Sequence, residues 1–349
     1  MSDPRYLIVK LAALGDVAMA STLPGAIRSR HPGARITWLC GSRVAGLVGL
    51  IPGVDEVLVV DEVALLRGSF LERLGALLAA WRQLAGRRFD VTALGHADRR
   101  YRALLLTART GRTRALEHDP SSGMLPIPGR YHGDEYVRLL DERPSRGPIV
   151  GHNPLPDLRP HLPARRDPST VGVVLVPGGT RNLLRESALR RWPVERYREV
   201  AVKLRIAGFP VTLIGDDGDA WVRPYFDGVD VFDEVGANDL LEVMGVLAGA
   251  SLVVTHDTGP LHLARLVRAP LLALFGPTSP SQFVLEGDAT TVLWGGASLA
   301  CRPCYDGREF AACANNLCMK DIPTSAVIDR ALAMLTAVPV GTHAVPGRR

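Results

Sequence analysis

The sequence has no long hydrophobic run. Hydrophobic residues make up 47% of its 349 residues, yet no apolar stretch reaches the roughly eighteen residues that a membrane-spanning helix requires. The first residues, MSDPRYLIVKLAALGDV, also lack the layout of a secretory signal peptide, because an acidic residue precedes a strand-like run that has no cleavage-type tail. We therefore expect no membrane span and a cytoplasmic location.

The sequence also lacks a recognisable nucleic-acid-binding motif, and its charge excess is modest. The net charge is +5 and the basic side chains are mostly arginine, which binds phosphate and carboxylate groups well. We expect no nucleic-acid partner. An anionic substrate or acceptor fits this composition, and so does a peripheral contact with a membrane surface.

Cysteine is scarce, and four of the five cysteines lie close together in the sequence. Cys40 stands alone in a strand-like context and is typical of a small core residue. The others follow the pattern C-x2-C-x8-C-x4-C, which in a reducing compartment predicts either a structural zinc site or a group of free thiols. The candidate ligands are Cys301, Cys304, Cys313 and Cys318.

The length and the repeated alternation of strand-like and helix-like segments predict two doubly wound α/β domains. Buried-strand patterns occur at 6–11, 34–39, 56–60, 89–94, 171–176 and 210–214, and helical patterns at 17–30, 70–86 and 238–249. Prolines crowd the region from 142 to 168, which cannot hold a regular helix. We expect an N-terminal domain at 1–150, a proline-rich linker at 151–170, a C-terminal domain at 171–337 and a disordered tail at 338–349.

The stretch from 252 to 280 predicts one strand, turn, helix and strand unit. A β-branched run ends at Asp257-Thr258-Gly259-Pro260, and an apolar run resumes before Phe275-Gly276-Pro277-Thr278. In an open α/β sheet, ligands bind beyond the carboxyl ends of the strands, where the next helix presents free N–H groups. The alternative is that Asp257 or Thr258 only caps the helix and that His262 packs against the sheet.

A second turn of this kind follows the first strand, at Leu14-Gly15-Asp16. Gly15 removes a side chain where a substrate would approach, and Asp16 is placed to accept a proton. The alternative is that Asp16 serves only as a helix N-cap, which is a common role for aspartate after a strand.

These motifs together resemble a known family. The segments at 255–264 (THDTGPLHLA) and 274–278 (LFGPT) resemble the nucleotide-sugar signature of the heptosyltransferase family of GT-B glycosyltransferases. The segment K-L-x-x-L-G-D-V at 10–17 resembles the opening motif of the same family. The resemblance implies a GT-B architecture, in which two Rossmann-like domains face a central cleft. It also implies inverting transfer of a heptose from ADP-heptose to an acceptor hydroxyl, with Asp16 as general base.

The resemblance also implies contacts for each substrate. Donor contacts would come from Gly179, Thr180, Arg190, Asp219, Asp257, Thr258, Gly259 and His262. Asp219 matches the ribose-binding acid best, although Asp216 and Asp217 are alternatives. Acceptor contacts would come from Gly15, Arg99, Arg100 and Arg102; the arginines could equally form a solvated helix face.

The residues between Thr180 and the Trp192-Pro193 pair depart from the family pattern. They form a longer insertion that is rich in arginine and leucine, so Arg181, Arg185 and Arg190 all remain candidates for the diphosphate contact. Relatives in the family also carry a C-x-P-C segment without being regarded as zinc proteins, which favours free thiols. We expect no metal requirement for catalysis, because arginines and helix N-termini would stabilise the departing ADP.

The acceptor stays open at this stage: it is either an anionic glycolipid, such as the inner core of lipopolysaccharide, or a small soluble sugar. Two other functions fit the same architecture. One is a nucleotide-sugar epimerase, and the other is a non-catalytic protein that binds an ADP-sugar. The presence of Asp16 together with Asp257 and His262 argues against the non-catalytic alternative.

Overall fold

The computed structural model describes residues 3–117, 129–142, 147, 151–163, 171–285, 289–306 and 309–337. The predicted disordered tail at 338–349, and part of the predicted linker, lie outside these residues. Within the described residues, no helix is long and apolar enough to cross a bilayer.

The first sheet has five parallel strands in the order β3-β2-β1-β4-β5. The strands are β1 (Arg5–Val9), β2 (Arg35–Gly41), β3 (Glu56–Val60), β4 (Arg88–Leu94) and β5 (Arg109–Ala115). The helices are α1 (Leu14–Ala20), α2 (Thr22–Arg30), α3 (Ala45–Gly49), α4 (Glu62–Arg67), α5 (Phe70–Leu84) and α6 (His132–Val137).

The second sheet has six parallel strands in the order β11-β10-β9-β6-β7-β8. The strands are β6 (Val173–Val176), β7 (Val211–Gly215), β8 (Phe232–Val235), β9 (Leu252–His256), β10 (Leu271–Phe275) and β11 (Thr290–Trp294). The helices are α7 (Val194–Ile206), α8 (Leu240–Gly249), α9 (Gly259–Leu266), α10 (Leu317–Lys320) and α11 (Thr324–Ala337). The strand order reverses between β6 and β9, as it does between β1 and β4, which is where doubly wound sheets bind ligands.

The central strands form because they are apolar on both faces. Every residue of β6, β9 and β10 is buried, as parallel strands covered by helices require. All strands of the first sheet precede residue 116 and all strands of the second follow residue 172. The exact domain boundaries, 150 and 171, remain predictions.

One local prediction was wrong. The helical pattern at 17–30 forms two helices, because Pro24 cannot donate the hydrogen bond that would continue α1 into α2. The arginine-rich run at 109–115, for which no strand was predicted, is the edge strand β5. Charged side chains are typical of an edge strand, because they disfavour pairing with another chain.

The described residues at 129–142 and 151–163 contact both halves of the molecule. Thr22 Oγ1 donates to the carbonyl of Gly133 at 3.0 Å on the side of the first sheet. On the other side, the backbone N–H of Leu158 donates to the carbonyl of Leu266 at 2.9 Å, at the end of α9. Helix α1 also packs directly against α9. The carboxyl edges of both sheets therefore meet at one junction.

Candidate active site

The candidate site is built from three turns, each of which follows a central strand. Residues 13–16 follow β1, residues 177–180 follow β6, and residues 257–258 follow β9. Because parallel strands end at the same edge of a sheet, the last two turns are neighbours, and the packing of α1 on α9 brings in the first. We call the place where these turns meet the junction.

Asp16 lies in the first turn of α1 and does not cap it. The N-cap residue is Ala13, and no side chain makes a capping hydrogen bond. Asp16 Oδ2 accepts a hydrogen bond from Lys10 Nζ at 3.0 Å, and 38% of the Asp16 side chain is exposed. Burial opposes ionisation, but the Lys10 ammonium group outweighs it and lowers the pKa of Asp16 below its ordinary 3.8. The carboxylate is therefore charged at neutral pH and accessible.

Lys10 is a buried cation that holds Asp16 in place. Its Nζ also donates to the carbonyl of Gly95 at 3.0 Å and lies 5.4 Å from the centre of the Tyr136 ring. Burial, together with the nearby charge of the Asp16 carboxylate, raises the pKa of Tyr136 well above its ordinary value. Asp16 is thus oriented by Lys10, which is itself held by Gly95.

Gly15 is required by a protein contact at the junction. A Cβ at this position would lie 2.6 Å from Cδ2 and 3.0 Å from Nε2 of His262. The space that the sequence predicts for a substrate is occupied by the His262 ring, which comes from the second sheet. This contact brings the Asp16 turn directly against helix α9.

Asp257 is the buried acid of the third turn. Its Oδ2 accepts a hydrogen bond from Thr278 Oγ1 at 2.9 Å and lies 3.3 Å from Nη1 of Arg190. Thr278 and Asp257 are both buried, so the turn before α9 is anchored to the loop that follows β10. The capping alternative therefore does not describe Asp257.

Thr258 ties the second turn to the third. It is the N-cap residue of α9, but its side chain makes no capping hydrogen bond. Instead, Thr258 Oγ1 accepts a hydrogen bond from the backbone N–H of Thr180 at 2.9 Å. Gly179 must be glycine here, because its φ is +79° and a Cβ would lie 2.5 Å from Thr258 Oγ1. The start of α9 thus has no side-chain cap, and its partial positive charge can attract an anion.

Asp219 is the predicted donor residue that the structure does not present to the junction as a free acid. Its carboxylate is buried and accepts hydrogen bonds from the backbone N–H of Gly179 at 2.9 Å and of Asp216 at 3.1 Å. Asp219 therefore holds the turn after β6 against the turn after β7. Asp216, which the sequence offers as an alternative, has a side chain that is 57% exposed.

The structure separates the arginines of the insertion. Arg190 contacts Asp257, whereas Arg181 Nη2 pairs with Asp216 Oδ1 at 2.5 Å. Arg191, which the sequence analysis did not select, donates to the carbonyl of Gly179 at 2.7 Å and pairs with Glu186. Among these contacts, only that of Arg190 reaches the turn before α9.

Three polar atoms at the junction are buried and have no hydrogen-bond partner among the described residues. They are Thr180 Oγ1, Arg190 Nε and His262 Nδ1. Burial lowers the pKa of His262 to about 4, so its ring is neutral at neutral pH. Because buried polar atoms are nearly always paired, three such atoms around one helix N-terminus indicate a site for a polar ligand.

Two further residues at the junction were missed by sequence reasoning. His132 lies at the start of α6, near Asp16 and Asp257. Burial lowers its pKa, and the negative charges of the two carboxylates oppose this shift. Tyr305 interacts with Asp16, Asp257 and Arg190, and burial raises its pKa to about 12. Neither residue stands in a motif, so the sequence carried no signal for them.

The predicted acceptor arginines lie on an exposed 3₁₀-helix at Arg99–Leu105. Arg100 pairs with Asp98 at 2.6 Å, and Arg102 pairs with Glu117 at 2.9 Å. Arg99 is exposed as well. These positions are accessible from solvent, and their contact with an acceptor remains a prediction.

The cysteine segment does not gather its thiols into a ligand set. Within the described residues, no group of three or more His, Cys, Asp or Glu side chains is placed to hold a metal ion. Cys301 and Cys313 are exposed, whereas Cys318 is buried. The backbone N–H groups of Cys304 and Tyr305 both donate to the carbonyl of Pro277. Backbone hydrogen bonds therefore fix the part of this segment that carries Tyr305.

The sequence is similar to a known protein family and to curated heptosyltransferases. Residues 171–313 match the family described as glycosyltransferase family 9 (heptosyltransferase). The chain is 27% identical over 320 residues to lipopolysaccharide heptosyltransferase 1 of Pseudomonas aeruginosa, covering 86% of each chain. It is 32% identical over 111 residues to lipooligosaccharide heptosyltransferase 2 of Haemophilus influenzae. That match covers 30% of this chain and spans 32% of the relative's length.

A solved structure agrees in fold. The E. coli heptosyltransferase WaaC with ADP superposes with a TM-score of 0.70 and 18% sequence identity, over 95% of this chain and 99% of that one. The predicted GT-B architecture, two doubly wound α/β units, is confirmed.

Proposed function

This chain belongs to glycosyltransferase family 9, the heptosyltransferase family, and we propose that it transfers a heptose from ADP-heptose to an acceptor hydroxyl with inversion at the anomeric carbon. The observation that carries the proposal is the direct contact of Gly15 with His262. This contact sets an accessible, ionised aspartate of the first sheet beside a helix N-terminus of the second that carries unpaired buried polar atoms.

The donor diphosphate would lie at the start of α9. Arg190 Nε and Thr180 Oγ1 are buried donors without hydrogen-bond partners among the described residues, and no side chain caps the start of α9. Arg190 lies beside the turn before α9 through its contact with Asp257 at 3.3 Å, which supports it as the diphosphate contact. The exposed Asp216 suits the ribose hydroxyls better than the buried Asp219.

In the proposed reaction, the acceptor oxygen attacks the anomeric carbon while its proton passes to Asp16. Oδ2 of Asp16 already accepts a hydrogen bond from Lys10, so the exposed part of the carboxylate would take the proton. The bond between the anomeric carbon and the β-phosphate oxygen breaks on the opposite face, and the charge that develops on ADP is stabilised by Arg190 and the start of α9. Attack and departure on opposite faces give inversion.

The relatives named above act on lipopolysaccharide or lipooligosaccharide. We propose an anionic glycolipid of this kind as the acceptor, which the net charge of +5 suits. A small soluble sugar would need the same hydroxyl placed at Asp16, and the two are told apart by assay.

Two assays test this proposal. ADP at a hundredfold excess over its dissociation constant should stabilise the protein against thermal unfolding by about 2.7 kcal/mol, with UDP at the same concentration doing much less. Transfer is then measured with ADP-, UDP- and GDP-sugars against lipid and soluble acceptors. A larger thermal shift with UDP than with ADP, or transfer from UDP- or GDP-sugars in preference to ADP-heptose, would refute the donor assignment.

A further inference from the structure

The outer face of helix α5 is apolar and exposed. It consists of Phe70, Leu71, Leu74 and Leu78, which at 100° per residue fall within an arc of about 100°. Phe70 is 78% exposed and Leu71 75%, although each is large and apolar. The opposite face, with Ala76, Ala80 and Leu84, is buried against the first sheet. Burial in the fold therefore accounts for only one side of this helix.

A fifth exposed apolar residue lies near the C-terminal end of this helix. Thr107 Oγ1 donates to the carbonyl of Trp81 at 2.8 Å, and the preceding residue, Leu106, is 70% exposed. Soluble proteins expose single apolar side chains routinely, but a contiguous group of this kind usually marks a contact surface.

Basic side chains border the apolar face. Arg67, Arg73 and Arg82 are exposed and form no ion pair with any residue in the described part of the chain. The acid on the same helix, Glu72, is engaged in the capping box, where it accepts from the backbone N–H of Ser69 at 2.7 Å and from its hydroxyl at 2.8 Å. An apolar stripe bordered by unpaired arginines complements a surface in which a layer of anionic groups covers an apolar layer.

The position of the helix relates this face to the candidate site. The chain leaves the carboxyl edge of the first sheet at Val60, forms α4 and begins α5 at Phe70, before it returns to the amino edge at Arg88. Phe70 and Leu71 therefore lie toward the same edge of the sheet as Asp16, which follows β1. A surface held by this end of α5 would lie on the side from which an acceptor reaches Asp16.

We propose that the outer face of α5 docks on the surface of an anionic lipid bilayer, with its apolar side chains at the acyl boundary and its arginines on the lipid phosphates. Amphipathic helices with basic borders bind bilayers in this way, lying in the interface without crossing it. A second copy of this chain would bring Arg67, Arg73 and Arg82 toward their own equivalents, so the charge favours lipid over self-association.

Co-sedimentation with vesicles tests the proposal. The vesicles contain phosphatidylcholine alone or phosphatidylcholine with phosphatidylglycerol, and the proteins are the wild type, Leu74→Ser/Leu78→Ser and Arg73→Gln/Arg82→Gln. The matched control is Ile206→Ser/Leu317→Ser, which removes two exposed apolar side chains from the second sheet's half of the chain. Thermal melting of each variant establishes that it is folded, and light scattering without vesicles measures self-association.

The wild type should bind the vesicles that contain phosphatidylglycerol, and the double leucine variant should bind them roughly tenfold or more weakly. The arginine variant should lose its preference for phosphatidylglycerol, and the control should bind as the wild type does. The proposal is overturned if the wild type binds neither vesicle, if the control loses as much binding as the leucine variant, or if the face instead mediates a dimer in solution. Vesicle binding needs neither donor nor acceptor, so its failure is distinguishable from failure of the proposed transfer reaction.

Discussion

At the scale of single residues, the site depends on a cation that the family motif contains but whose role only the structure reveals. Lys10 is buried and bonded to Asp16, and its charge outweighs the burial that would otherwise raise the pKa of that carboxyl group. A base with a lowered pKa is a weaker proton acceptor, but it is fully ionised at neutral pH. The structure thus favours a base that is fully ionised at neutral pH over a base with a higher proton affinity.

This balance predicts a shift in the pH profile when Lys10 is replaced. In the wild type, Asp16 stays ionised until the pH falls below its ordinary pKa of 3.8. In Lys10→Met, burial is no longer offset, so the pKa of Asp16 should rise and the acid limb of kcat/KM should move to higher pH. Lys203→Met, at an exposed position of α7, is the control and should leave the limb unmoved. An unshifted limb in Lys10→Met would show that Lys10 does not set the ionisation of the base.

Gly15 gives a second prediction at this scale. A Cβ at this position would lie 2.6 Å from a ring atom of the buried His262, so Gly15→Ala should cost about 1–3 kcal/mol of unfolding free energy through overpacking. Gly25→Ala is the control, because nothing lies within 4 Å of a Cβ in the middle of α2. It should be neutral or stabilising by about 0.5–1 kcal/mol. Chemical denaturation of both variants measures the difference, and equal effects would refute the contact.

At the scale of elements, the unit from β9 to β10 was the most predictable part of the chain. Its strand, turn, helix and strand follow from a buried β-branched run, a Gly-Pro break and a second apolar run, and these signals are local. Strand β5 was missed because its arginines carry no apolar pattern and its pairing with β4 is a tertiary contact. His132 and Tyr305 were missed for the same reason, since only folding brings α6 and the cysteine segment to the junction.

The surroundings of Asp219 could not be predicted from the sequence for a related reason, and its contact with the donor remains a prediction. An acid after a buried strand is a sound signal for a site at the sheet edge, but it does not distinguish a carboxylate that faces a ligand from one that holds a turn. The two backbone N–H groups on Asp219 decide between these roles, and they come from turns that are distant in sequence. The sequence therefore predicted an acid at this edge of the sheet, but not the two backbone hydrogen bonds that this acid accepts.

The anchoring of the turn before α9 is testable at this scale. Thr278→Val leaves the buried Asp257 carboxylate without its donor at 2.9 Å, so the variant should lose about 1–3 kcal/mol of stability and bind ADP more weakly. Thr92→Val makes the same change in β4, where the buried hydroxyl has no partner among the described residues, and should be neutral or stabilising. Denaturant unfolding and ADP titration compare the two. A neutral Thr278→Val would mean that this hydrogen bond does not hold the turn.

At the scale of the whole molecule, the proposed reaction is divided between two halves that meet at one junction. The first sheet supplies the proposed base, and the second supplies the proposed donor site at β6, β9 and α9. The contacts of α1 with α9, of Gly133 with Thr22 and of Leu158 with Leu266 hold these parts in register. A change confined to the base should therefore leave donor binding intact, which a single shared pocket would not predict.

The most direct test of this division is the turnover of Asp16→Asn measured together with its affinity for ADP. Asparagine keeps the size of the side chain and removes its basicity, so turnover should fall by roughly a hundred- to ten-thousandfold. ADP affinity and the melting temperature should stay close to those of the wild type, because Asp16 belongs to the first sheet. Near-normal turnover in Asp16→Asn, or a loss of ADP affinity as large as the loss of turnover, would contradict the account.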